Sequence, residues 1–461
     1  MAMTRMSTSS RQTARLPIEP ESVGQMAVDP ADSASSSLRR RAVLVVVSSF
    51  TLTLTACGLN FAFGVYQELY ESLGGPFANA SSAQIDLIGT LGVSLMTIGA
   101  PYASAWTKSY SPRTISLVGA TLFALANILA SFGQELWHFH LTQGLLLGCG
   151  TCLAYIPAVT ITPGWFKESR GLAMGIVLSG TGVGGTLWAP VLRALNAKIG
   201  FRNTLRLTGG LSFVLIAGSG WVLKWSPDIE ARNRLEASLG RSRLRPPLAN
   251  WQVVRSRIFA AQAASAIVQA AAYYVPVYFI STYAKTLGYS TIAGANFIAL
   301  SNGTSAVGKI ALGYIADRAG RLNTLLLCTL LSAVFTLALW FPSTTSSQST
   351  GKHLFAAYVV LYSITAGAYV SLFPTVLVEL FGVQHFASVN GLLYMLRGFG
   401  TLVGTPSVGA LIRGSSSVTA RSAIHYTNSS LLVGSLLASA TICCIWVRVE
   451  AFHKPGSRWI G

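Results

Sequence analysis

The sequence predicts an all-α membrane protein with twelve transmembrane helices in two sets of six. Three observations lead there. The 461 residues are 51% hydrophobic and only 10% charged, with a mean hydropathy of +0.52, whereas a soluble domain carries about 25% charged residues. Apolar runs of membrane length recur along the chain, each long enough for the roughly 20 residues that a helix needs to cross a bilayer. The longest polar, basic break inside the apolar region, residues 226–254, divides these runs evenly.

Taken in order, the first set covers roughly 43–66, 84–105, 114–133, 139–161, 171–192 and 204–225. The second covers roughly 257–280, 291–313, 322–341, 355–378, 389–412 and 427–448. The expected organisation is therefore a disordered cytosolic tail (1–40), an N-terminal six-helix bundle (41–225), a cytosolic linker (226–254), a C-terminal six-helix bundle (255–448) and a cytosolic tail (449–461). The first tail is Ser-rich and has no apolar core of a signal peptide. The linker carries Arg241, Arg243, Arg245 and the breaker pair Pro246–Pro247, and an amphipathic helix is expected near Asp228–Leu239.

The net charge of +18 follows from topology. With the N-terminus in the cytosol, twenty Lys and Arg fall beside the membrane on inside loops and six on outside loops. This bias obeys the positive-inside rule, puts both termini in the cytosol and makes nucleic acid an unneeded partner. The expected address is a multi-pass protein of the plasma membrane, with a vacuolar or other internal membrane as the alternative. Asn79-Ala80-Ser81 in the first outside loop is the expected glycan acceptor.

Several patterns carry no chemistry. Gly303–Ile310 reads GTSAVGKI, but Ile310 stands where a phosphate-binding loop needs a hydroxyl. Gly180–Gly185 reads GTGVGG in mid-span, where glycines allow close helix approach. Cys149 and Cys152 lie in an apolar helix, and the six histidines form no cluster. No cofactor, metal site or enzyme constellation is expected.

Residues 313–321 read GYIADRAGR between two apolar runs, as a tight charged turn. This stretch resembles the signature loop of the major facilitator superfamily. LNFAFGVYQELY (Leu59–Tyr70), QGLLLGCGTCLAYIPAV (Gln143–Val159), WFKESRGLAMGIVLSGTGVGG (Trp165–Gly185) and YVPVYFISTYA (Tyr274–Ala284) resemble the fungal branch of its monocarboxylate porter family. The resemblance implies two pseudo-symmetric six-helix halves and transport by alternating access. It also has gaps. The first-half loop reads KSYSPR, with Lys108 where an Asp is expected. Val65 occupies the place of a Lys late in the first span of the animal carriers. Ser305 and Lys309 stand where those carriers have an Asp and an Arg. A proline near Thr181, the mark of exporters, is absent.

Ionisable groups within spans are costly and usually face a cavity or a partner. Lys309 and Arg397 each lie eight residues into a span from the cytosolic side, about 12 Å deep. Either they hold an anionic substrate, or Lys309 snorkels and Arg397 ties down a gate. Asn60, Tyr66, Gln67, Tyr155, Tyr273, Tyr274, Asn302, Tyr369 and Tyr394 are further candidates for orienting a small molecule. Asp317, Arg318 and Arg321 are expected to pair with helix ends as conformational switches. The expected function is a secondary active carrier of a small organic acid or related metabolite, with a proton as candidate coupling ion. The alternatives are an exporter of a fungal secondary metabolite and a non-transporting nutrient sensor.

Overall fold

The computed structural model describes residues 30–71, 76–77, 80, 82–238, 251–412 and 423–453, and no β-strand occurs among them. Asn79, the linker arginines with Pro246–Pro247, Arg413, Arg421, most of the N-terminal tail and residues 454–461 lie outside the described residues. The chain divides after Arg41, and the packed helices lie in the unit that begins at Ala42.

In the first span, α1 (Pro30–Leu52) passes through a π-turn at Thr53–Cys57 into α2 (Gly58–Phe61) and, after a short turn, α3 (Gly64–Glu71). Because α1 begins at Pro30, the last residues of the expected disordered tail are helical: extending a formed helix costs far less than nucleating one. The second span is α4 (Ser82–Ile98) and α5 (Ala100–Ser109), bent by 45°. Pro101 near the start of α5 lacks an N–H and crowds the preceding turn. The Ser111 hydroxyl accepts from the Thr114 amide and starts α6 (Pro112–Ala130). Next come α7 (Leu136–Phe139), a π-stretch, α8 (Leu147–Ile161), α9 (Arg170–Ile199) and α10 (Phe201–Val222).

After α11 (Pro227–Ser238) and α12 (Trp251–Val254), the second set opens with α13 (Arg257–Thr286) and α14 (Thr291–Ala319). Their side-chain caps are Ser256 and Ser290. Then follow α15 (Arg321–Phe335), a π-turn, α16 (Phe341–Thr345), α17 (Gln348–Ile412) and α18 (Thr427–Phe452). A straight helix as long as α17 would span three bilayer cores. Gly382 at φ 74°, ψ 158° divides it into two arms, a conformation essentially confined to glycine.

Among the described residues, nine helices are long and apolar enough to cross a membrane, ten if the bent pair is one span. α14 is 29 residues long but less apolar, because it carries Asn302, Ser305 and Lys309. All twelve expected segments are helical over most of their length. Two expectations change. GYIADRAGR is not a turn over its whole length: α14 runs through Ala319, and the reversal is confined to Gly320 at φ 91°. The helix at Pro227–Ser238 exists but is not amphipathic: Ile229 approaches Gly164, whereas Leu235 is 64% exposed.

The contacts that matter for function join the two sets of helices. α9 lies along α14, and the second arm of α17 crosses α4 and α5.

Candidate functional site

The α9–α14 seam is built on glycine. Gly171, Gly175, Gly182 and Gly185 fall on one stripe of α9. A methyl group added at Gly175 would collide with the Lys309 carbonyl, and one at Gly182 with the Asn302 carbonyl. Gly180 and Gly184 sit on a neighbouring stripe, where added methyl groups would strike Thr53 and Leu54 of the first span. α9 is thus gripped on two sides at backbone distance, a use of small residues familiar in membrane helices.

Lys309 emerges from this seam and is 3% exposed. Its Nζ donates to Thr181 Oγ1 at 2.6 Å, while the Thr181 hydroxyl itself donates to the Leu178 carbonyl. No carboxylate among the described residues pairs with Lys309. The ammonium lines a cavity of about 30 Å³ with Phe61, Thr181, Tyr273, Asn302 and Ser305. That space suits one or two waters, and the cation at its wall is almost fully buried. Three of the sequence candidates, Lys309, Asn302 and Tyr273, meet here.

Arg397 does not line this cavity. It is 5% exposed, and its guanidinium carbon lies 5.2, 4.8 and 4.9 Å from the ring centroids of Tyr369, Phe373 and Tyr394. Each ring face attracts the charge, more so when water is excluded. Arg397 Nη1 is buried with no hydrogen-bond partner among the described residues. The Tyr394 hydroxyl shares a 3.2 Å hydrogen bond with Tyr155 of α8, so the caged cation adjoins a tyrosine bridge between the two sets of helices. The structure therefore sets Lys309 at the cavity and surrounds Arg397 with the aromatic side chains of α17.

Other candidates make contacts within the helices. Tyr274 stacks between Phe61 at 6.2 Å and Tyr278 at 6.1 Å. Asn60 donates to the Ala56 carbonyl and to Thr151 Oγ1, tying the first span to α8. Gln67 donates to Asp86 Oδ1. Tyr66 packs on Tyr70, whose ring meets Phe77 and Phe139 in an apolar cluster away from the Lys309 cavity. Thr181, Phe61 and Ser305 also line the cavity and are not among the sequence candidates. Their only signal was a hydroxyl or a ring on the glycine-rich seam or its neighbour.

At the end of the seam, Asp317 of α14 caps α9. Its two carboxylate oxygens accept from the amides of Gly171 and Leu172, each at 2.8 Å. The N-cap residue Ser169 makes no side-chain cap, so the Asp317 oxygens satisfy amides that a helix leaves orphaned and meet the positive end of its dipole. Arg321 holds the same carboxylate through Nε at 2.9 Å and donates to the Glu168 carbonyl at 2.6 Å. Arg318 stays outside this network. It is exposed and stacks on Tyr314 at 4.2 Å.

Both helix sets thus line a small cavity around a buried cation. The Major Facilitator Superfamily profile matches residues 44–405, and the chain belongs to that superfamily. It is similar to an MFS-type transporter of Gibberella moniliformis, 24% identical over 415 residues, covering 90% of this chain and 91% of that one. The agnestins efflux protein of Paecilomyces divaricatus is 26% identical over 379 residues, 82% of each chain. Monocarboxylate transporter 13 of Bos taurus is 28% identical over 423 residues, 90% of this chain and 91% of its own. The protein is a multi-pass membrane transporter of this type.

Proposed function

We propose that the protein is a secondary active carrier that moves a small organic anion by alternating access, with Lys309 holding the acidic group. The observation that carries this reading is the Lys309 ammonium, buried in a cavity with Asn302 and Tyr273 and without a carboxylate partner among the described residues. A buried unpaired cation is expensive, and a substrate anion supplies the missing charge. The two bundles, 41–225 and 255–448, rock about the seam in twelve crossings. Asp317 and Arg321 latch the side where α9 begins, and Arg397 acts through the Tyr155–Tyr394 bridge.

The names of the fungal relatives favour a particular direction. One is an efflux protein for agnestins, which supports export over uptake. Purified carrier in proteoliposomes tests the substrate class. Uptake of labelled organic acids is compared with uptake of their methyl esters, with and without a pH gradient. Transport of acids in preference to esters supports the reading, and a dependence on the gradient identifies the proton as coupling ion. Equal handling of acid and ester contradicts an anion carrier.

A further inference from the structure

We infer that a basic cavity where α5, α6, α10 and α11 meet binds a phosphate-bearing anion, either the headgroup of an anionic membrane lipid or a soluble organic phosphate. The cavity measures about 360 Å³, within the range of small-ligand sites and far roomier than the space around Lys309. Its wall includes Lys108, Arg113, Lys224 and Arg234, with Glu230 as the one acid. Glu230 accepts from Arg234 at 2.6 Å. Arg113, Lys224 and Arg234 against Glu230 already leave the lining net positive.

A basic face at a membrane surface is usually just a solvated loop that obeys the charge rule. Two observations set this one apart. It is concave, because the turn after α5, the exit of α10 and the helix α11 converge on it. In addition, Arg113 and Asn233, two of the residues that line it, each keep a buried donor, Nε and Nδ2, with no hydrogen-bond partner among the described residues. Buried donors left unpaired in a protein call for an unplaced water or ion. An arginine fork beside lysines suits phosphate, whose oxygens accept several charge-assisted bonds at once. A single carboxylate would leave most of the excess charge unmatched. Arg113 also lies over the Trp221 ring at 5.5 Å, and Trp221 is 62% exposed. Exposed tryptophans of membrane helices sit at headgroup level, which places the mouth of the cavity within reach of lipid phosphates.

The test is the thermal stability of the full-length protein in detergent. Short-chain phosphatidylinositol phosphate, the soluble inositol phosphate alone and phosphatidylcholine are titrated in turn. Ligand that binds only the folded state raises the midpoint in proportion to its occupancy. Both phosphates are expected to raise it, and phosphatidylcholine is not. A larger response to the lipid assigns the site to a membrane headgroup, and an equal response assigns it to a soluble phosphate. Arg113→Gln with Lys224→Gln is expected to weaken apparent affinity about tenfold or more, for two lost charge-assisted bonds. Glu230→Gln, which removes the opposing charge, is expected to tighten it. The inference is overturned if neither phosphate shifts the midpoint beyond phosphatidylcholine, if the double variant binds like the parent, or if Glu230→Gln fails to tighten binding.

Discussion

Asp317 accepts the backbone amide of Gly171 at 2.8 Å, so the acid of the signature loop caps a helix of the opposite half. Gly171 has no side chain for good reason: an added methyl group would lie 3.0 Å from the Asp317 oxygen and would collide with the Gly313 carbonyl. Among the described residues, this cap belongs to α14. The corresponding first-half loop carries Lys108 in place of the acid, so a carboxylate latch is available on α9 and not on the second arm of α17.

Asp317→Asn tests the latch. The amide keeps one acceptor but loses the charge that Arg321 and the helix end both use. Hydrogen bonds to charged groups contribute about 1.5–3 kcal/mol each, so a shift of tenfold or more in the open-to-closed equilibrium is expected. Cysteine-labelling rates at the mouth beside the start of α9 are expected to rise while abundance holds and transport falls. Parent-like labelling and transport at parent abundance would mean that the loop is only an anchor.

Gly175→Ala tests the seam. Its new methyl group would press on the Lys309 carbonyl and approach Ile310 Cα at 3.2 Å. Overpacking of this kind costs about 1–3 kcal/mol, here by parting α9 from α14. Gly210→Ala is the control, because nothing lies within 4 Å of its added methyl. In a melting assay in detergent, Gly175→Ala is expected to fall several degrees and Gly210→Ala to hold or rise. Equal midpoints for the two variants would contradict backbone-distance packing.

Arg397→Lys keeps the charge and loses the flat guanidinium that lies against Tyr369, Phe373 and Tyr394. Lysine is not equivalent at such a stacked site. Because Arg397 does not line the cavity, the variant is expected to lose stability, by about 1–2 kcal/mol, and maximal rate, with KM held within about twofold. A large rise in KM at unchanged maximal rate would place Arg397 on the substrate instead.

Much of this was legible in the sequence, for identifiable reasons. The helices follow from apolar run length, and the glycine seam from small residues at helical spacing in α9. Lys309 and Asp317 were legible because charges inside apolar runs need explaining. Partnerships across long sequence distance were not. Asp317 and Gly171 are 146 residues apart, and Tyr155 and Tyr394 are 239 apart. The cage around Arg397 draws rings from both arms of α17, and no periodicity reports which rings face each other once Gly382 turns the chain. Asn60 and Gln67 looked like ligand groups because a polar side chain in a span reads alike whether it meets a substrate or another helix.

The most direct test of the account is the KM for an anionic substrate in Lys309→Gln and Lys309→Arg, normalised to surface protein and set beside the KM for its neutral ester. Removing the cation is expected to raise KM for the acid about tenfold or more, the worth of one charge-assisted contact in a buried site, and to leave the ester little changed. Lys309→Arg is expected to retain most of the preference. A Lys309→Gln carrier with parent KM and parent rate for the acid would contradict the central claim and reduce Lys309 to a packing partner of Thr181.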